Sequence, residues 1–229
     1  MEVRKLVGNQ KINKAVFPVA GLGKRLLPLT KSVPKELLPI ANKPLLQHAI
    51  DEAVAAGIDT LIFVTSRDKP SIEQYLSPDK KLITYLRSKG KIDKTQILEN
   101  IIPKNVECVF INQSERLGLG HAIQCAEYAV DGEPFAVLLS DDLLKCPNNG
   151  ATEKLVQAFL NSGKSQLLFS QIDGPEISKY GVLVPGEKVG SIKGLIEKPD
   201  YKVATSNMAS LGRYVLHHNI FSILKTLIP

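Results

Sequence analysis

The feature that most constrains this chain is an alternation between two apolar rhythms. Short β-rich runs are separated by longer segments whose apolar residues recur at helical spacing, which is the signature of β-α units around a mostly parallel sheet. Runs at 15–19, 60–65, 106–111, 135–139 and 166–172 read as strands. Between them, Leu46, Ala49, Ile50, Ala53 and Val54 fall on one helical face, with Pro44 suited to the first turn and Gly57 to the C-terminal cap. Further helices are expected near 71–76, across a polar region at 79–102, and at 120–130 and 152–161. After residue 173 the texture changes to short runs broken by Gly and Pro (GVLVP, SIKGLIE, ASLGRYVL), followed by a last helical stretch at 219–227. The expected architecture is α/β, a mostly parallel mixed sheet flanked by helices, with a nucleotide-binding part at 1–172 and a smaller β-rich part at 173–229.

Composition narrows the function classes. With 229 residues, 44% of them hydrophobic and 23% charged, the chain can bury one substantial core. Residues 1–14 are polar and basic without an apolar leader core, and no run reaches the roughly 18 apolar residues of a membrane span. Cys108, Cys125 and Cys146 are widely spaced and form no C-x-x-C pair, so neither a disulfide framework nor a zinc site is indicated and a reducing cytoplasm is expected. The net charge of +6 is spread along the chain without interleaved aromatics, which argues against nucleic acid. The densest basic stretch, 80–94, reads as a solvated helical face. A positive site for a small polyphosphate fits the total.

The first strand runs directly into Ala20-Gly21-Leu22-Gly23-Lys24-Arg25, a Gly-x-Gly turn that lets backbone N–H groups approach phosphates. A dinucleotide-binding loop would place a third glycine at position 26 and open a helix at once; Leu26 and three prolines in the next segment make that reading a poor one. The P-loop pattern is absent too. Arg25 and Lys35 follow the turn in a proline-stiffened segment, as holding a triphosphate in one geometry requires. The run at 135–139 ends in Asp141 and Asp142, carboxylates at the strand end where open α/β sheets place ligands and where magnesium finds oxygen ligands. If strand alternation persists, Asp142 points away from Asp141 and serves a turn or cap.

The string AGLGKRLLPLTKSVPKELLPIANKPLLQHAIDEAVAAGI resembles the N-terminal signature of bacterial UDP-glucose pyrophosphorylases, the UTP:glucose-1-phosphate uridylyltransferases among the sugar-1-phosphate nucleotidyltransferases, and the likeness runs through almost the whole chain. The resemblance implies a Rossmann-like nucleotidyltransferase fold whose β-rich part binds the sugar, and Mg2+-dependent synthesis of UDP-glucose from UTP and glucose 1-phosphate. It implies that Ala20, Gly21 and Gly23 lie over the nucleotide, that Arg25 and Lys35 contact its phosphates, and that Asp141 binds the metal. Gln113-Ser114-Glu115-Arg116-Leu117-Gly118-Leu119-Gly120-His121 is similar to the second nucleotide loop, in which Gln113 reads the uracil and Gly118 opens a helix. His121 reads as a packing or hydrogen-bonding residue. Tyr180-Gly181-Val182 and Ile196-Glu197-Lys198-Pro199 resemble the sugar half, which implies close approach at Gly181, sugar hydroxyls on Glu197, the sugar phosphate on Lys198 and a further sugar contact from Asn207.

Two departures from the family pattern stand out. Lys24 occupies a position where the family usually has threonine, so a weakly active or non-catalytic nucleotide-sugar-binding paralogue is an alternative class. Thymidylyl- and cytidylyltransferases share the same elements. Family members also continue for several dozen residues beyond the position of Pro229, so the resemblance implies a shortened C-terminal end that lacks a later acidic metal motif and much of a homo-oligomer contact.

Overall fold

A computed structural model describes residues 11–146 and 150–227; the leader reading at 1–10 lies outside them, as do Ile228 and Pro229. The chain runs β1 (Lys14–Pro18), a small hairpin of β2 (Pro39–Ile40) and β3 (Lys43–Pro44), α1 (Leu45–Ala55), β4 (Thr60–Thr65), α2 (Pro70–Leu76), α3 (Lys80–Ser88), α4 (Ile92–Glu99), β5 (Glu107–Asn112), α5 (Leu119–Cys125) and α6 (Glu127–Val130). It continues through β6 (Phe135–Leu138), α7 (Ala151–Ser162), β7 (Gln166–Gln171), β8 (Gly181–Pro185), β9 (Ile192–Glu197), β10 (Met208–Leu216) and α8 (Ile220–Leu224).

One sheet in the order β5-β4-β1-β6-β10-β8-β9, with β7 also on β10, organises the molecule. Strands β5, β4, β1 and β6 are parallel, with Ala15 opposite Leu61 and Ala136. β10 then pairs antiparallel with β6 and with β7. The parallel strands are apolar on both faces because both are covered. Ala15, Phe17, Leu61, Phe63 and Ala136 meet α1 and α7 through Leu46, Ile50, Leu155 and Phe159. Val16, Ile62, Val64 and Val137 meet α5 and α8 through Ala122, Ile123 and Phe221.

The polar region expected as one helix at 79–102 is two. Gly90, at φ +67°, takes the left-handed conformation that ends α3, and Lys91 N–H bonds back to the Leu86 carbonyl at 2.9 Å. The helix expected at 120–130 is likewise broken at Ala126. Gly57, at φ +85°, closes α1 as its spacing predicts, whereas Pro44 stands one residue before the helix as its cap. After residue 173, β8, β9 and β10 extend the same sheet, with β10 antiparallel to β6 and to β8.

Candidate active site

The parallel strands β1, β4, β5 and β6 have their carboxyl ends on one side, and the glycine loop leaves β1 there. Val19 N–H bonds the Val64 carbonyl at 2.8 Å, which carries the loop out beside β4. Gly23 has φ +64°, and a Cβ there would stand 3.0 Å from Thr30 Cγ2 and 3.3 Å from Lys35 Cβ. Thr30 Oγ1 donates to the Gly23 carbonyl at 2.9 Å, so the loop folds back on the Lys35 turn. Beneath it lies a cavity of about 430 Å³ lined by Ala20, Gly21, Gly23, Lys24, Lys35, Gln113, Arg116, Gly118 and Asp141. Gly118, at φ 99° and ψ −173°, holds a backbone region essentially restricted to glycine and starts α5 at the cavity wall.

Lys35 Nζ is paired with Asp141 Oδ2 at 2.5 Å. Burial opposes ionisation of Asp141, but the Lys35 hydrogen bond and charge, with Arg25 adding to them, outweigh it and hold the carboxyl below its usual range. Arg25 therefore acts on the site electrostatically, although it is not part of the cavity wall. β6 ends at Leu138, so strand alternation does not set the direction of Asp142. Its carboxylate turns away because Oδ2 accepts the Gly212 N–H at 2.7 Å.

Gln113 is 4% exposed. Its Nε2 stands 3.0 Å from His121 Nδ1 and 3.5 Å from the Gly118 carbonyl. With the imidazole proton on Nε2, both amide hydrogens point into the protein, and Oε1 is the atom left to accept a hydrogen bond from a ligand.

Of the residues the resemblance assigns to the sugar, Gly181, Glu197 and Lys198 form a separate cluster, and none of them, nor Asn207, lines this cavity. Gly181 and Glu197 are cross-strand partners of β8 and β9, and a Cβ on Gly181 would stand 3.3 Å from Glu197 Oε2. Lys198 Nζ lies 2.8 Å from Glu197 Oε1. Its φ of +45° is a strained value for a non-glycine residue. Asn207 stands apart, donating to Asp173 Oδ1 at 2.8 Å. Tyr214 lies within electrostatic reach of both regions: burial raises its phenol above the usual value, and the charges of Asp142 and Glu197 add to the shift.

Three supporting groups were not legible as functional in the sequence. Glu36, fully buried, pairs with Lys69 at 2.9 Å, and Lys69 Nζ also donates to the Val19 carbonyl at 2.9 Å. Burial pushes the Glu36 carboxyl up and the Lys69 ammonium down, and their mutual attraction offsets part of each shift. Arg116 Nε donates to the Ala20 carbonyl at 3.0 Å, while Nη2 reaches Ser66 Oγ at 3.0 Å and Asp68 Oδ2 at 2.7 Å. Arg213, 2% exposed, bonds Glu52 and the carbonyls of Leu139, Gly212 and Asp142, and so fixes the segment on both sides of Asp141. The one available signal was charge inside apolar strand or loop contexts, which does not reveal a partner far away in sequence.

Among the described residues no cluster of three or more His, Cys, Asp or Glu side chains is arranged to hold a metal ion. A divalent cation fits this donor set only as a shared ligand of Asp141, held ionised at the cavity wall, and of substrate phosphates, the mode in which such ions commonly sit in phosphate-transfer sites. Among the described residues no helix is long and apolar enough to cross a membrane.

The nucleotidyl transferase family profile matches residues 14–228. UTP–glucose-1-phosphate uridylyltransferase 2 of Staphylococcus saprophyticus is 40% identical over 222 residues, covering 95% of this chain and 75% of that protein. A UDP-glucose pyrophosphorylase from Acinetobacter baumannii superposes with a TM-score of 0.90 at 35% identity, over 94% of this chain and 78% of that one. A UDP-glucose pyrophosphorylase complexed with UDP-glucose superposes with a TM-score of 0.83 at 37% identity, over 96% and 81%. Shared sequence across nearly the full length, on a superposable sheet with the glycine loop at its strand ends, makes this chain a member of the nucleotidyl transferase family.

Proposed function

We propose that this chain transfers the uridylyl group of UTP to glucose 1-phosphate, forming UDP-glucose and releasing pyrophosphate. The observation that carries the proposal is a single cavity at the strand ends that gathers the glycine loop, Gln113, Lys35 and Asp141, in a chain 40% identical to a UTP–glucose-1-phosphate uridylyltransferase.

The uracil sits against Ala20 and Gly21, and Gln113 Oε1 accepts its imide N–H. His121 keeps the amide in that orientation by taking the Nε2 hydrogen. Gly23 and Gly118 let backbone approach the nucleotide without a Cβ in the way. Lys35 and Arg25 neutralise the triphosphate, with Lys35 exchanging its Asp141 partner for phosphate oxygen. On the other side Lys198 binds the phosphate of glucose 1-phosphate, and Gly181, Glu197 and Asn207 hold the hexose. A phosphate oxygen of glucose 1-phosphate then attacks the α-phosphorus of UTP in line, the bond to the β-phosphate bridging oxygen breaks, and pyrophosphate leaves. Such chemistry needs positioning and charge neutralisation more than a covalent nucleophile. Asp141, with substrate phosphates, would hold Mg2+, whose contribution when bound is to neutralise charge on the phosphates.

The test is product analysis with glucose 1-phosphate, magnesium and each common nucleoside triphosphate in turn. UDP-glucose with UTP, and little product otherwise, is expected; dTDP-glucose as the main product would replace uridylyl by thymidylyl transfer.

A further inference from the structure

The glycine loop leaves β1 through two consecutive carbonyls, Val19 and Ala20, and a fixed cation holds each of them. Lys69 Nζ donates to the first at 2.9 Å and Arg116 Nε to the second at 3.0 Å. Both cations are tied to the segment that follows β4. Lys69 belongs to it, and its own N–H bonds the Ser66 carbonyl at 2.9 Å. Arg116 reaches it through Ser66 Oγ and Asp68 Oδ2. The anion that neutralises Lys69 is Glu36, next in sequence to Lys35, so the same segment also anchors the turn that carries the phosphate-side lysine.

We infer that the segment from Ser66 to Lys69, acting through Lys69 and Arg116, is a brace that sets the position of the glycine loop, and that Arg116 is a positioning residue and not a phosphate ligand. The inference rests on the uridylyl reading for its ligand and on the hydrogen bonds alone for the brace. Charge-assisted bonds to carbonyls are among the stronger hydrogen bonds available, and here they hold the backbone that carries Ala20, Gly21 and Gly23 to the cavity wall. Their effect must therefore appear at the nucleoside itself and not scale with the number of phosphates.

The decisive variant is Arg116→Ala. The side chain is 32% exposed, so its loss leaves no sealed void. Titration with uridine and with UTP is expected to show the same loss on both, about tenfold, the size expected for a charged hydrogen bond. Asp68→Asn, which keeps the guanidinium but loosens its anchor, should move both in the same direction by less. A loss confined to UTP, with uridine unaffected, would make Arg116 a phosphate ligand and overturn the inference. Amide hydrogen exchange of the ligand-free protein supplies an independent reading. Arg116→Ala, and separately the neutral pair Glu36→Gln with Lys69→Met, should accelerate exchange in peptides covering 19–23 while a β6 peptide stays protected. Unchanged exchange in the loop would overturn the brace. A wild-type chain that bound neither uridine nor UTP would refute the uridylyl reading instead, and the exchange result would still decide the brace.

Discussion

Replacing Arg213 by Met is the perturbation that most directly probes how the segment carrying Asp141 is held. Arg213 is 2% exposed, sits on β10, and gives its Nε and Nη2 to Glu52 at 2.9 to 3.2 Å. Nη1 reaches the carbonyls of Leu139 and Gly212 at 2.9 and 3.0 Å, and Nη2 that of Asp142 at 3.1 Å. Methionine fills much of the same volume but donates nothing. Glu52 keeps the Thr152 N–H and hydroxyl at 3.0 and 2.6 Å, so it is not wholly orphaned, but its countercharge is gone. Breaking one side of a buried ion pair costs about 3–5 kcal/mol. For a chain of this length that corresponds to a fall in Tm of about 6–20 °C. Calorimetry on Arg213→Met should show a drop in that range, and UTP titration should show weakened binding, because the Leu139–Asp142 segment loses its shared donor. Arg213→Lys should be intermediate, since one ammonium cannot reproduce the planar fork. The double variant Glu52→Gln with Arg213→Met should lose less than the sum of the singles, as removal of both charges leaves none unpaired. A fall in Tm under about 2 °C for Arg213→Met, or simple additivity in the double variant, would refute the reasoning.

Other expectations follow from the same geometry. Gly23→Ala should weaken UTP binding, because its Cβ would meet Thr30 and Lys35 and φ is left-handed, whereas Gly21→Ala, whose Cβ would stand 3.8 Å from Lys35 Cε, should leave thermal stability unchanged; calorimetry compares the two. Lys198→Ala should raise the KM for glucose 1-phosphate or lower kcat while UTP binding persists, and Arg25→Ala should do the reverse, as steady-state kinetics and UTP titration will show. Since Asp141 titrates below its usual range in the folded state, its ion pair with Lys35 stabilises above about pH 4, the ordinary carboxyl value, and that contribution is lost as pH falls through the depressed value. The acid limb of the Tm profile should accordingly flatten in Asp141→Asn. Lys24→Thr should change turnover by only a modest factor if Arg25 and Lys35 already supply the loop's phosphate charge; a rescue by orders of magnitude would identify a silenced paralogue.

What the sequence determined by itself was local. The 3.6-residue spacing of Leu46, Ala49, Ile50 and Ala53 marked α1, and the apolar run at 60–65 marked β4, because a segment's own side chains record which face it must bury. The Gly-x-Gly turn and the resemblance nominated Lys35, Gln113 and Asp141, which meet on one cavity, since loops that receive a ligand carry their chemistry in contiguous residues. The tertiary structure alone decided how those loops are held. The contacts of Glu36 with Lys69, Arg116 with Ala20 and Arg213 with Glu52 span 33, 96 and 161 residues, and no periodicity or spacing encodes a pairing over such distances. It also decided that the strands after 173 join the same sheet. Backbone hydrogen bonds between strands carry no residue identity, so only the assembled sheet shows that β10 closes on β6 and brings β8 and β9 alongside the parallel strands.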